Sequence, residues 1–247
     1  MAKQTVFKCF SLTAKGVLLI ATLSSPLAFS AEEPLPSPSS AMETQGKEAQ
    51  AQSPIAGFEF KPVKVTAADH TAHEVVEDVT EKVLAMIKHF QAQENPDTNE
   101  VATGFDLLLT PVVDFGYIAR NVMGSTAKGK ATDKQVQAFT ETFKTSLIDT
   151  YTRGVTGFVN REVVVVPPEG DVSKQRRVSV LQEVKGPDGM NRVSYTLGIN
   201  KSGDWQLLNV VLDGINLGRT FRNQFAQALK QANGDVDAVI NNWGRKG

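Results

Sequence analysis

An α+β fold follows from three features of this 247-residue chain. Helical periodicity fills the first half of the ordered part. Period-two alternation with tight turns then takes over, and two more helical stretches close the chain. Helices, then a meander, then helices predict an antiparallel four-stranded sheet covered on one face by several helices. There is no alternating strand–helix rhythm and no internal repeat.

The helical block opens near residue 67, where Val76, Val79, Val83, Met86, Ile87 and Phe90 follow steps of three and four and make one apolar face. Asn95-Pro96 ends that helix. Phe105 to Met123 reads as two shorter helices bent at Pro111. The most regular stripe starts near Asp133 and runs through Val136, Phe139, Phe143, Leu147, Tyr151, Val155 and Phe158.

Period two begins with the short strand Arg161 to Pro167. In the second strand Val178, Val180 and Val184 share a face that Gln182 interrupts. Gly186-Pro187-Asp188-Gly189 is a hairpin turn. The third strand aligns Val193, Tyr195, Leu197 and Ile199, and a turn over residues 200–204 leads into a fourth, Trp205 to Leu212. On that last strand Leu208, Val210 and Leu212 compete with Leu207 and Val211 for the inner face. Asp213-Gly214 then passes into helices around 218–232 and 235–243.

Before residue 67 the composition is different. Residues 1–30 combine Lys3, Lys8 and Lys15, an apolar run from Gly16 to Phe29, and Ala28-Phe29-Ser30 ahead of Ala31. That is the layout of a cleaved Sec-type signal peptide, and the apolar run is too short to span a bilayer. Cleavage near Ser30/Ala31 would remove the sole cysteine, Cys9, and shift the net charge from −1 to −4 by taking three lysines. The expected product is a protein of the periplasm or the cell exterior without disulfides, and its acidic balance gives no reason to expect nucleic acid as a partner. Residues 31–66 carry five of the eleven prolines and few large apolar groups, so a disordered linker is expected there. Residues 67–247 form the expected folded domain.

Catalytic signatures are missing. No Gly-x-Ser-x-Gly, P-loop, dinucleotide fingerprint or zinc spacing occurs. His70, His73 and Glu77 could share a helix face as metal ligands, but a solvated helix face is the commoner meaning of such neighbours. Asp114 and Asp213 could serve as acid and base in a small cavity enzyme of cone-shaped α+β fold. An Asp beside Gly at a strand end is more often a turn residue. Apolar periodicity itself does not separate a solid core, as in a structural interaction domain without ligand, from the lining of a cavity.

Several stretches together resemble the MlaC family of periplasmic phospholipid-binding, or toluene-tolerance, proteins. They are VVDFGYIARNVMG (112–124), QVQAFTETFKTSLIDTYTRGVTGF (135–158), WQLLNVVLDGINLGRTFRNQF (205–225) and GDVDAVINNW (234–243), in the family's order and spacing over about residues 68–243. Asn209 and Asn216 stand where the family usually has Asp and Ser, which puts a local hydrogen bond in question. The resemblance implies no enzyme, cofactor or metal. It implies a monomeric carrier that holds a phospholipid in an apolar cleft between sheet and helices and shuttles it between an outer-membrane lipoprotein–porin complex and an inner-membrane ABC transporter with an MCE-domain subunit, so maintaining outer-membrane lipid asymmetry. The implied lining comprises Phe115, Ile118, Phe139, Phe143, Leu147 and Tyr151 from helices, and Val164, Val178, Val180, Tyr195, Leu197, Leu208, Val210 and Leu212 from strands. Phe221 and Phe225 would form the closing wall.

Overall fold

The computed structural model describes residue 55 and residues 57–154, 161–187 and 189–244. Val155, Phe158 and the side chain of Tyr151 fall outside what is described. Seven helices and five strands follow in the order α1 (Ala72–Gln91), α2 (Thr98–Leu109), α3 (Phe115–Met123), α4 (Ser125–Gly129), α5 (Asp133–Gly154), β1 (Glu162–Val165), β2 (Arg177–Gly186), β3 (Gly189–Ile199), β4 (Trp205–Leu212), β5 (Ile215–Asn216), α6 (Leu217–Gln231) and α7 (Val236–Asn242). The sheet is an antiparallel meander in sequential order. It has five strands where the alternation predicts four; a two-residue strand is too short to show a period.

Side-chain caps fix where the helices begin. Thr71 and Glu74 make a reciprocal capping box at α1, and Thr132 and Gln135 make the equivalent at α5. Asp97, Asp114, Asn216 and Asp235 accept backbone N–H groups at α2, α3, α6 and α7. Asn216 thus supplies the hydrogen bond that a serine would supply there, and the departure from the family pattern costs the helix nothing.

The sheet has two unlike faces. Cross-strand pairing puts Val163 with Val184, Val180 with Tyr195 and Val210, Val178 with Leu197 and Leu207, Gln182 with Val165, Val193 and Leu212, and Ile199 with Trp205 on one side. The other side carries Arg177, Ser179, Glu183, Lys185, Arg192, Ser194 and Thr196. A β-bulge between Thr196 and Leu197 breaks the alternation on β4. Leu207, Val210 and Leu212 therefore share the inner face, while Leu208 covers Gly198 from outside. Neither alternation read from the sequence has this set, because one extra residue flips the face midway along the strand.

Two apolar cores result. The first joins α1, α2 and the inner sheet face through Val75, Met86, Phe90, Leu108, Val178, Val180, Leu197 and Trp205. Ile55 is fully buried in it and Val63 nearly so, with Phe58 and Phe60 packed alongside. The expected linker boundary at 66/67 thus falls inside a packed segment. Gly104 admits this arrangement: a Cβ there would overlap the Met86 sulfur and come within 2.8 Å of the Ile55 Cδ1. The second core joins α3, α5, α6 and α7 around Phe139, Phe143, Phe225 and Trp243, whose ring centroids lie 4.9–6.2 Å apart. Only α5 spans both, with Phe139 and Phe143 in the second core and Ile148 in the first.

His73, in the first turn of α1, is 7% exposed, not on a solvated face, and its Nδ1 has no partner. Burial holds its pKa below the ordinary value of 6.5, with Glu77 opposing. The folded state therefore prefers neutral imidazole, and the unfolded state takes up the proton first. Stability is full above pH 6.5 and falls as pH drops through it. Urea titrations at pH 7.5 and about 5.5 should show that loss for the wild type and a smaller one for His73→Leu; equal slopes would remove His73 from the account.

Candidate lipid-binding site

β4 is the strand where edge segments and helices meet the sheet. Its outer edge is sealed piecewise by three segments. Val65 accepts from Trp205 N at 2.8 Å, and Val112–Asp114 brackets Leu207, with Leu207 N donating to Val112 O at 2.6 Å and Asp114 N to Leu207 O at 3.2 Å. Beyond the bulge, β5 pairs with Val211 and Leu212. This leaves no free edge for pairing with another chain at those positions. α3 and α6 pack beside this same strand.

The Asp213-Gly214 junction is a two-residue hairpin turn, not a bare strand-to-helix corner. Both residues have positive φ, 48° and 82°, as a primed turn requires. Asp213 keeps this conformation by receiving Arg192 N at 2.7 Å and Asn191 Nδ2 at 2.8 Å on its two carboxylate oxygens. Asp114 receives Tyr117 N at 2.7 Å as the α3 cap. Both carboxylates considered as acid and base thus accept structural hydrogen bonds, Asp114 from a backbone N–H and Asp213 from a backbone N–H and the Asn191 side-chain amide. No cluster of three metal-ligating side chains occurs among the described residues.

The inner sheet face is covered unevenly. On the β1–β2 side α1 closes on it through a chain of hydrogen bonds: Tyr195 Oη donates to Gln182 Oε1 at 2.9 Å, Gln182 Nε2 to Thr80 Oγ1 at 2.7 Å, and Thr80 Oγ1 to Val76 O at 2.7 Å. Gln182, an interruption in the sequence pattern, is the satisfied link that locks α1 in place. Val178, Val180 and Leu197 are solid core here, at 4% exposure or less. On the same rows but toward β4, Val193 and Leu212, in line with Gln182, and Val210, in line with Tyr195, are only half-buried and belong to neither core. Ile118, Leu147 and Phe221 form the half-buried margin of the second core on α3, α5 and α6. Phe115, 8% exposed, sits in neither core, with the Lys144 ammonium 5.8 Å from its ring centroid.

The implied lining is therefore divided by the fold. Ile118, Leu147 and Phe221 are half-buried on the margin of the second core, Tyr195 is half-buried on the margin of the first, and Val210 and Leu212 are half-buried in neither. Phe139, Phe143 and Phe225 are interior to the aromatic cluster. Val164 is 39% exposed on the outer, polar face, because β1 is four residues long and its alternation is set by pairing with β2. Val193 and Leu207, outside that lining, lie on the inner face. Two open hollows of about 380 and 270 Å³ lie elsewhere, one beside Glu141, Ser146 and Trp243 and one beside Phe58, Phe60 and Leu108. Neither includes a residue of the implied lining.

Together these features define a class: an α+β domain with a one-sided antiparallel sheet and two separate apolar cores. The comparisons with known proteins agree. Residues 77–245 match the family described as MlaC protein. A toluene tolerance protein of Pseudomonas putida, ttg2D, is 36% identical over 180 residues, covering 72% of this chain and 82% of that protein. An intermembrane phospholipid transport system binding protein, MlaC of Haemophilus influenzae, is 21% identical over 186 residues, 73% of this chain and 84% of its own. In three dimensions, a phospholipid-binding protein of Ralstonia solanacearum, solved in complex with a phospholipid, superposes with a TM-score of 0.62 at 24% identity, over 70% of this chain and 94% of the other. The chain belongs to the MlaC family.

Asp213→Ala should lower stability by about 1–3 kcal/mol, since it exposes two donors and puts alanine at positive φ. Thermal unfolding checks this; an unchanged midpoint would show that the carboxylate is not what holds the turn.

Proposed function

We propose that this protein is a periplasmic phospholipid carrier. In this reading residues 1–30 direct export and are removed. The carrier receives lipid from, and delivers it to, an outer-membrane lipoprotein–porin complex and an inner-membrane ABC transporter with an MCE-domain subunit. The observation that carries the reading is the uneven cover of the inner sheet face, in a chain whose relatives are named for phospholipid binding and transport. No helix of the described residues is long and apolar enough to cross a membrane.

The chemistry required is burial, not bond-making. A diacyl lipid has about thirty methylenes at about 0.8 kcal/mol each, so roughly 20–25 kcal/mol opposes its passage through water. The acyl chains would enter where Val193, Val210 and Leu212 meet the margin at Ile118, Leu147 and Phe221. Such a ligand needs a pocket toward the upper end of the usual range of about 300–1,000 Å³. The two cores would have to part along the seam between them to accept it, with the α1 side held by the Gln182 hydrogen bonds.

Native mass spectrometry of the exported protein, followed by solvent extraction, should show a stoichiometric phospholipid adduct. Val210→Asp and Leu212→Asp should fold, because their sites are half-exposed, and should lose the adduct. Val180→Asp should fail to fold, since it buries an unpaired charge in solid core. Wild-type lipid occupancy in folded Val210→Asp and Leu212→Asp would sink this site, and a bare wild type after incubation with liposomes would sink the function.

A further inference from the structure

Charge on this molecule is unevenly placed. α3 and α6, the helices beside β4, hold Arg120, Arg219, Arg222 and Lys230, α4 and its C-cap next to α3 add Lys128 and Lys130, and residues 115–131 and 217–232 contain no Asp or Glu at all. All six side chains are exposed. Ion pairs seen elsewhere, Lys82 with Asp78, Lys144 with Asp106, Lys185 with Glu162 and Arg192 with Glu183, involve none of them. On α6, positions 219, 222 and 230 fall within an arc of about 80° at 100° per residue, away from the buried Phe225. α3 packs against α6, and the Arg222 Nε donates to the carbonyl of Asn121 at 2.7 Å, which lays that guanidinium across the end of α3. The flanking acids are Asp114, whose carboxylate caps α3, Asp133 at the start of α5, Asp213, whose carboxylate holds the β4–β5 turn, and Asp235, which caps α7. Just ahead of α6, Ile215 is 39% exposed on the β5 hairpin, opposite Leu212 of the seam.

We propose that the α3–α4–α6 face docks on an anionic phospholipid surface and so presents the seam to the head-group layer. Once residues 1–30 are removed the net charge is −4, so a negative surface does not attract the protein as a whole, but it orients a face that holds six cations and no acid within its two helical stretches. Five of the six cations have no described partner that fixes them and are spread over three helices. That suits a fluid array of phosphates better than the fixed carboxylate geometry of an acidic protein. Ile215 adds an apolar contact at the edge of the same face. The inference rests on the carrier reading for its purpose, but the binding it predicts is measured separately from lipid occupancy.

The test is flotation of the purified protein with vesicles of phosphatidylcholine alone and of phosphatidylcholine with phosphatidylglycerol. Binding is expected only to the second and should vanish near 1 M salt, where the screening length is about 3 Å. Each cation near such a surface is worth about fivefold in affinity, so Arg120→Gln/Arg219→Gln/Lys230→Gln should bind about 100-fold more weakly with an unchanged melting temperature. The matched control Lys61→Gln/Lys174→Gln/Lys201→Gln removes the same charge from other surfaces and should bind like the wild type. No phosphatidylglycerol-dependent binding, or equal loss in both triple variants, overturns the proposal. Vesicle binding by a protein that carries no lipid in native mass spectrometry would uphold this surface and count against the carrier reading instead.

Discussion

The structure is organised by a mismatch between the apolar face of one sheet and the helices available to cover it. Pairing and the β4 bulge put more than ten valine, leucine, isoleucine and aromatic side chains on the inner face. α1 and α2 cover one side to solid-core density. The rest is left to helices that already have a core of their own, since Phe139, Phe143, Phe225 and Trp243 satisfy one another. A sheet corner with half-buried Val193, Val210 and Leu212 is what remains.

This division also governs how the molecule can move. Interiors are close-packed and resist continuous deformation, so displacement concentrates where two packed bodies meet. The first body is pinned by the Gln182 network and by Ile55 wedged at Gly104. The second hangs on α5, the Val112–Asp114 segment and the β5 hairpin. The Asp106–Lys144 pair, 2.6 Å apart, ties α2 to α5, but Asp106 is nearly half exposed and the pair contributes little. The polar tie across the seam is therefore weak, while the two apolar cores on either side are strong.

Much of this was legible in the sequence. The order of helices and strands, the 186–189 hairpin and the break at Pro111 all appear in periodicity and turn residues, because each is decided by neighbours a few residues apart. The face of β4 was not, since a bulge leaves no mark on composition, and its consequence, Leu207 inward and Leu208 outward, depends on pairing with β3. Packing of Ile55 and Val63 was hidden for a similar reason: a proline-rich stretch gives no period, yet two side chains can anchor it if a distant glycine leaves room. The candidate site was half legible. Periodicity identified apolar faces, but whether Phe139 or Val210 borders an opening depends on which helices compete for which surface.

Magnitudes then decide what the seam must do in the proposed carrier. Completing the burial of three half-exposed aliphatic side chains is worth at most a few kcal/mol, at about 25 cal/mol per Å². That is far short of the roughly 20–25 kcal/mol that holds a diacyl lipid in a bilayer. The corner of the sheet alone is thus an entry point, not a sufficient pocket. Most of the compensating surface has to come from the second core's own margin, with Ile118, Leu147 and Phe221 turning from each other toward the ligand. The exchange of one apolar contact for another keeps the net cost of opening low, because every face exposed by parting is covered by acyl chain. In the proposed carrier, an aromatic cluster that stays intact while it slides away from a valine-lined sheet would let lipid enter and leave without supplying the energy of transfer, which would fall to the proposed partners.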